Sequence, residues 1–121
     1  METEQIAKTL VGYCRQGNWE QAYAELYSPQ IISIETGDTS PMGRLEGTEE
    51  LMKKGQWWAE TFDVHGMEVS DPIVADNWFT VRFTMDTTHK PSGQRSTTSE
   101  LAVYQVKDGK VVREQFFYDR E

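Results

Sequence analysis

Two glutamates, Glu100 and Glu114, lie in the stretch ELAVYQVKDGKVVREQFFYD, which reads as two strands joined by a tight turn. Gly109 supplies the positive φ such a turn needs. A type I turn at Lys107 and Asp108 with a bulge at Gly109 pairs Val106 with Lys110, Tyr104 with Val112, Ala102 with Glu114 and Glu100 with Phe116. One face then carries Glu100, Ala102, Tyr104, Val112, Glu114, Phe116 and Tyr118. A carboxylate in so apolar a stripe loses hydration, and a second carboxylate nearby also disfavours its charge. Both effects bring it towards the range where it takes and returns a proton near neutrality. Proton transfer is the chemistry this pattern suits.

The elements that must position these residues follow from periodicity. Ile6, Leu10, Tyr13 and Cys14 share one face of a helix from about Glu4 to Gln16, which Gly17 ends. Asn18 opens a second helix, with Gln21 completing a capping-box pattern and Pro29 stopping it. A short strand, Ile31 to Glu35, sets Ile31, Ser33 and Glu35 on one side. TGDTSPMGRLEG reads as a loop. A third helix near Thr48 to Thr61 brings Leu51, Gly55, Trp58 and Phe62 to one face, with Trp57 beside them. The period then changes to two. A hairpin from Phe62 to Thr88 turns near Ala75, Asp76 and Asn77, with Asn77 taking the left-handed conformation. It pairs Val69 with Phe83, Met67 with Met85 and His65 with Thr87, so His65, Met67, Val69, Phe79, Val81, Phe83 and Met85 share a face. HKPSGQ forms the last turn before Thr97 to Lys107. Helices followed by a four-stranded meander indicate an α+β fold with helices on one face of a curved sheet, enclosing a cavity.

Composition narrows the partners. The 121 residues suit one domain, spanning 1–121. The 20 acidic against 12 basic residues, net charge -8, disfavour nucleic acid and anionic membrane surfaces. No segment reaches membrane-spanning length, and METEQIAKTL lacks a secretory pattern, so a bacterial-type cytoplasmic location is expected. Cys14 cannot pair internally and reads as a small core residue. Two histidines without a cysteine partner cluster make a metal site unexpected, and the isolated glycines form no phosphate loop. No cofactor is expected.

The order αα-β-α-ββββ, with LYSPQIISIE, GTEELMKKGQWW, the pair Val64 and His65, and ELAVYQVKDGKVVREQFFYD, resembles the SnoaL-like domain proteins of the nuclear-transport-factor-2-like superfamily. The likeness covers nearly the whole chain. It implies a cystatin-like α+β barrel: a cone-shaped, curved antiparallel sheet with three helices closing a concave pocket, commonly a homodimer through the outer face of the sheet. Fold alone does not select a function, since the superfamily includes isomerases, cyclases, hydrolases, dehydratases and non-catalytic modules. Similarity to limonene-type epoxide hydrolases lays that family's catalytic positions on Phe83, Met85 and Phe116, which excludes that chemistry. Similarity to ketosteroid-isomerase-like members lays their base on Glu35.

On this reading Glu35, His65, Glu100, Glu114 and Tyr118 converge as polar groups in a pocket lined by Trp57, Trp58, Met67, Phe83, Met85, Tyr104 and Phe116. A glutamate takes a proton α to a carbonyl while Tyr118 or His65 donates to the enolate oxygen, giving isomerisation or aldol-type cyclisation of a small apolar or cyclic ligand. Each residue has a structural alternative. The glutamates could be a solvated rim or a hydrogen-bonded pair, His65 could satisfy a backbone carbonyl, and Tyr118 could be packing. Arg82 reads as interface or surface, and His89 as exposed. Two further readings compete: a non-catalytic ligand binder, and a dimerisation module whose cavity is filled by its own aromatics.

Overall fold

The computed structural model describes residues 2–36 and 43–119. Its elements run α1 (Thr3–Arg15), α2 (Trp19–Leu26), β1 (Tyr27–Ile34), β2 (Arg44–Glu46), α3 (Thr48–Thr61), β3 (Phe62–Val69), β4 (Ile73–Ala75), β5 (Trp78–His89), β6 (Gln94–Lys107) and β7 (Lys110–Phe117). The class is α+β, as expected: three helices lie against one face of a sheet ordered β2-β1-β7-β6-β5-β3, with β4 paired to β5.

One expected feature changes. The sheet is mixed rather than wholly antiparallel, because β1 runs parallel to β7, and it does not close into a barrel. The four-stranded meander is present as β3, β5, β6 and β7, and the chain returns to β1 across its far edge. Arg44–Glu46, read as loop, pairs with β1, while the rest of that segment, 37–42, lies outside the described residues. Among the described residues no helix is long and apolar enough to cross a membrane.

Local chemistry explains the helix ends. The reciprocal capping box forms at α1, between Glu2 and Gln5, rather than at Asn18. At α2 the Asn18 amide instead donates to the Gln21 side chain at 3.0 Å. That helix ends at Leu26, before Pro29, and the chain passes directly into β1. Ile6, Ala7, Leu10 and Val11 of α1 join Ala22, Leu26, Leu51, Phe79, Val81, Ala102 and Val111 in one core.

The expected hairpin register shifts by two residues. Asp108 (φ 52) and Gly109 (φ 75) both take the left-handed region, the two-residue type I′ turn that Asp-Gly favours, so Lys107 faces Lys110. A bulge then accommodates Val112, and Tyr104 pairs with Glu114 and Ala102 with Phe116. A shift of two preserves the inward face, so Ala102, Tyr104 and Glu114 are buried on the side expected, with Val111 in place of Val112. In the other hairpin Asp76 (φ 50), rather than Asn77, takes the left-handed position.

Gly55 shows why α3 and α2 approach closely. A Cβ there would lie 2.5 Å from Cζ3 of Trp19 and 2.9 Å from two further ring atoms. The indole is itself held 5.5 Å, centroid to centroid, from the Tyr23 ring. Alanine normally favours a helix over glycine by about 1 kcal/mol, but here the ring must move. Gly55→Ala is therefore expected to destabilise the protein by about 1–3 kcal/mol, read from urea denaturation. An unchanged or raised midpoint would show that the indole swings aside freely.

Candidate functional site

The inward stripes of β1, β6 and β7 meet α3 at one group of ionisable side chains. Alternation along β1 directs Ile31 and Ser33 inward, both 1 % exposed, and Glu35 follows at the strand end. Glu114 on β7 faces Ser33 as its pairing partner across the parallel ladder. Glu100 follows two residues before Ala102 on the same face of β6. On α3, Lys54 stands between the buried Leu51 and the half-buried Trp58 at helical spacing.

The three glutamates occupy distinct environments. Glu114 is 2 % exposed and fully partnered: the Tyr27 hydroxyl donates to Oε1 at 2.5 Å and the Ser33 hydroxyl to Oε2 at 2.7 Å. Burial pushes its pKa up, while those two donors oppose the shift. Glu35 is held by Lys54, whose Nζ lies 2.5 Å from Oε1, and by the Tyr118 hydroxyl, which donates to Oε2 at 2.9 Å.

Glu100 is different. It is half-buried and makes no hydrogen bond or ion pair among the described residues. Burial, followed by the Glu35 charge, pushes its carboxyl up to about 7, with Lys54 opposing and Glu114 reinforcing. Of the three carboxyls it alone is both unpartnered and poised at neutral pH.

The aromatic surroundings are partly as expected. Phe116 lies beneath Lys54, with its ring centroid 5.5 Å from Nζ. Tyr104 is buried and stacks on Phe79 at 4.7 Å, and Phe83 joins the core. Trp58 stacks on Phe62 at 5.2 Å. Met85 is half-buried opposite Met67, which is 36 % exposed on the edge strand. Burial raises the hydroxyl pKa values of Tyr23, Tyr27 and Tyr104, and the charge of Glu114 adds to each.

Two expected residues leave the site. A bulge in β3 places His65 between the pairs Val64–Thr87 and Gly66–Asp86, which reverses its side. Its Nε2 meets the Thr88 hydroxyl at 2.7 Å, and the ring is exposed near Asp86, on the outer face. His65→Ala is accordingly expected to leave the titration of Glu100, followed by side-chain carboxyl NMR, where it is. A measurable shift would mean that the imidazole reaches the concave side. Trp57 is 47 % exposed, edge-on to Phe62, and does not line the carboxyl cluster. His89, read as exposed, is half-buried against the Phe62 ring at 5.3 Å.

Lys54, Tyr27 and Ser33 were not singled out from the sequence. Ser33 was already on the inward stripe of β1, and Lys54 is the lone charge between Leu51 and Trp58 on the packing face of α3. Either could have been found by asking which polar residues interrupt an apolar face. Cys14 packs beside the core with its thiol pushed up to about 12 by burial, which keeps it protonated. Two open hollows of about 590 and 600 Å³ along α1 and β4 share no residue with the cluster. Among the described residues no group of three or more His, Cys, Asp or Glu is arranged to hold a metal ion.

This architecture is matched by known proteins. The sequence profile of the SnoaL-like domain matches residues 1–118. A structure from Mesorhizobium loti, provisionally named a SnoaL-like polyketide cyclase and carbohydrate phosphatase, is 37% identical, covering 98% of this chain and 100% of that one with a TM-score of 0.93. An NTF2-like protein from Burkholderia thailandensis is 17% identical over 98% of this chain and 92% of its own, with a TM-score of 0.84. A protein of unknown function with a cystatin-like fold from Xanthomonas campestris is 18% identical over 99% and 92%, with a TM-score of 0.80. At those lower identities the likeness is one of fold. No curated protein matches.

Proposed function

The chain belongs to the SnoaL-like domain family, and from that premise we propose that it catalyses cofactor-independent proton transfer on a small apolar or cyclic carbonyl compound, with Glu100 as the base. The observation that carries this reading is the Glu100 carboxyl, unpartnered, half-buried and pushed up to about 7. A base with that affinity is ionised in useful amount at neutral pH and still binds a proton strongly enough to remove one from carbon. The C–H bond α to the carbonyl breaks, its proton passes to Glu100, and the electron pair moves to the carbonyl oxygen. Return of the proton at another carbon isomerises the ligand, whereas attack of the enolate carbon on a second carbonyl cyclises it.

Glu35 and Glu114 take supporting roles. After burial, the Glu35 carboxylate contributes most to the high proton affinity of Glu100, with Glu114 reinforcing and Lys54 opposing, while hydrogen bonds from Tyr27 and Ser33 fix Glu114 in place. Phe116 and Trp58 offer apolar surface to the ligand. The test is α-proton exchange in D₂O of an enolisable bicyclic ketone such as 2-tetralone, followed by loss of its α-CH signal in NMR. Exchange accelerated by the protein and rising through about pH 7 supports the reading. Binding of the ketone with no accelerated exchange would favour a non-catalytic binder.

A homodimer through the outer sheet face is the assembly we propose. Leu101 and Phe117, 50% and 45% exposed, are paired neighbours on that face, opposite the buried Ala102. Exposed apolar pairs on a sheet favour burial against a like surface. Sedimentation of the protein and of Leu101→Glu decides it: a dimer that the substitution dissociates is expected, and a monomeric parent protein overturns the assembly.

A further inference from the structure

Enolate formation needs a donor at the oxygen as well as a base at the carbon. Neither residue expected for that task is available. His65 is on the outer face, and the single hydroxyl proton of Tyr118 is directed at Glu35. The Tyr27 and Ser33 hydroxyls are likewise committed to Glu114.

We propose that Lys54 is a second catalytic residue, its ammonium donating to the ligand's carbonyl oxygen as negative charge develops there. This inference deepens the proton-transfer reading and rests on it. Three observations carry it. Lys54 projects from α3 into the same group as Glu35, Glu100 and Glu114, and its side chain is only 16% exposed. Of its three N–H donors, one is directed at Glu35, and no second protein acceptor is bonded to Nζ among the described residues. The Phe116 ring lies 5.5 Å from Nζ, which confines the ammonium on an apolar surface where water competes poorly for the remaining donors.

Electrostatics agree with the assignment. Lys54 is the positive charge that acts on both Glu100 and Glu114. Once Glu100 has accepted the proton it is neutral, and the new negative charge is on the ligand oxygen. The ammonium then faces an oxyanion with one fewer competing carboxylate than before, so its attraction grows along the reaction. An interaction stronger in the transition state than in the ground state is the kind that accelerates the step. The ion pair with Glu35 has a positioning role here: it fixes the long lysine side chain before the ligand arrives.

The test uses the state that follows proton abstraction. Glu100→Gln places a neutral amide where the protonated base would be, and 4-nitrophenol serves as the oxyanion probe, since its ionised form has its own visible absorption band. In Glu100→Gln the bound probe is expected to be ionised at a pH where the free compound is mostly neutral. In Glu100→Gln/Lys54→Met that ionisation should disappear, and Lys54→Arg should restore part of it. If removing Lys54 unfolds the protein by stranding Glu35, the triple variant with Glu35→Gln removes both partners and is compared with Glu35→Gln/Glu100→Gln. Equal ionisation with and without Lys54, or no binding of the phenolate at millimolar probe, overturns the proposal. Turnover separates the two readings. With Glu100 intact, Lys54→Met should slow 2-tetralone exchange by roughly 100-fold or more, and an unchanged rate would overturn the Lys54 role while leaving Glu100 as base. A protein that ionises the phenol through Lys54 but exchanges no ketone proton would leave Lys54 an oxyanion-binding group and overturn both the proton-transfer reading and the catalytic role that rests on it.

Discussion

Glu100→Gln is expected to slow α-proton exchange of an enolisable ketone by roughly 10²–10⁴-fold while the protein stays folded. Glutamine is nearly isosteric, and the carboxyl it replaces has no hydrogen-bonded partner to strand, so the fold loses nothing that a packed side chain supplies. What it loses is the proton acceptor. The parent rate should rise through about pH 7 as Glu100 ionises and then level off. The variant's residual rate should lack that inflection. Measuring both profiles by NMR checks the assignment twice, and an inflection retained in Glu100→Gln would transfer the base to Glu35 or Glu114.

The same carboxyl should also make the protein less stable as pH rises. An ordinary glutamate has its pKa near 4.5, and in the fold Glu100 is pushed up to about 7. The folded state therefore binds this proton more tightly than the unfolded chain, so its contribution is fully present below 4.5 and is lost as pH rises through 7. At about 1.4 kcal/mol per pH unit the loss approaches ~3 kcal/mol, and residual solvent access reduces it to about 2. Burial of Glu114 works in the same direction. Urea denaturation across this pH range should show stability falling, and Glu100→Gln should flatten the curve and make the protein more stable than its parent at pH 8. Parallel curves for the two proteins would show that Glu100 is fully hydrated. A base that weakens its own fold is consistent with a group retained for chemistry.

The inward face of the last hairpin was legible in the sequence because strand alternation is robust to the error made in the turn. Reading Asp108-Gly109 as part of a three-residue loop displaced the pairs by two, yet Glu100, Tyr104, Glu114 and Phe116 stayed on one side. An error of one residue is not forgiven. The bulge at His65 adds a single unpaired position, and that is enough to send the imidazole outward although Met67–Met85 and Val69–Phe83 pair as read. Nothing in Val-His-Gly-Met announces the bulge beyond Gly66. The parallel pairing of β1 with β7 was not legible either, since it joins segments with no turn between them. Partners across that seam are set by the whole fold: Ser33 and Tyr27 acquire meaning only once Glu114 is placed beside them.

That seam also dictates when the site can exist during synthesis. Tyr27 and Ser33 reach Glu114 across 87 and 81 residues of chain. While the ribosome is still making the meander, β1 has only the short β2 beside it, and its other edge waits open for β7. Glu35 and Lys54 are then already in the nascent chain, whereas Glu100 and Glu114 are not. Contacts so distant in sequence form slowly and leave strand edges exposed meanwhile. The carboxyl cluster is thus complete only once β7 has docked between β1 and β6.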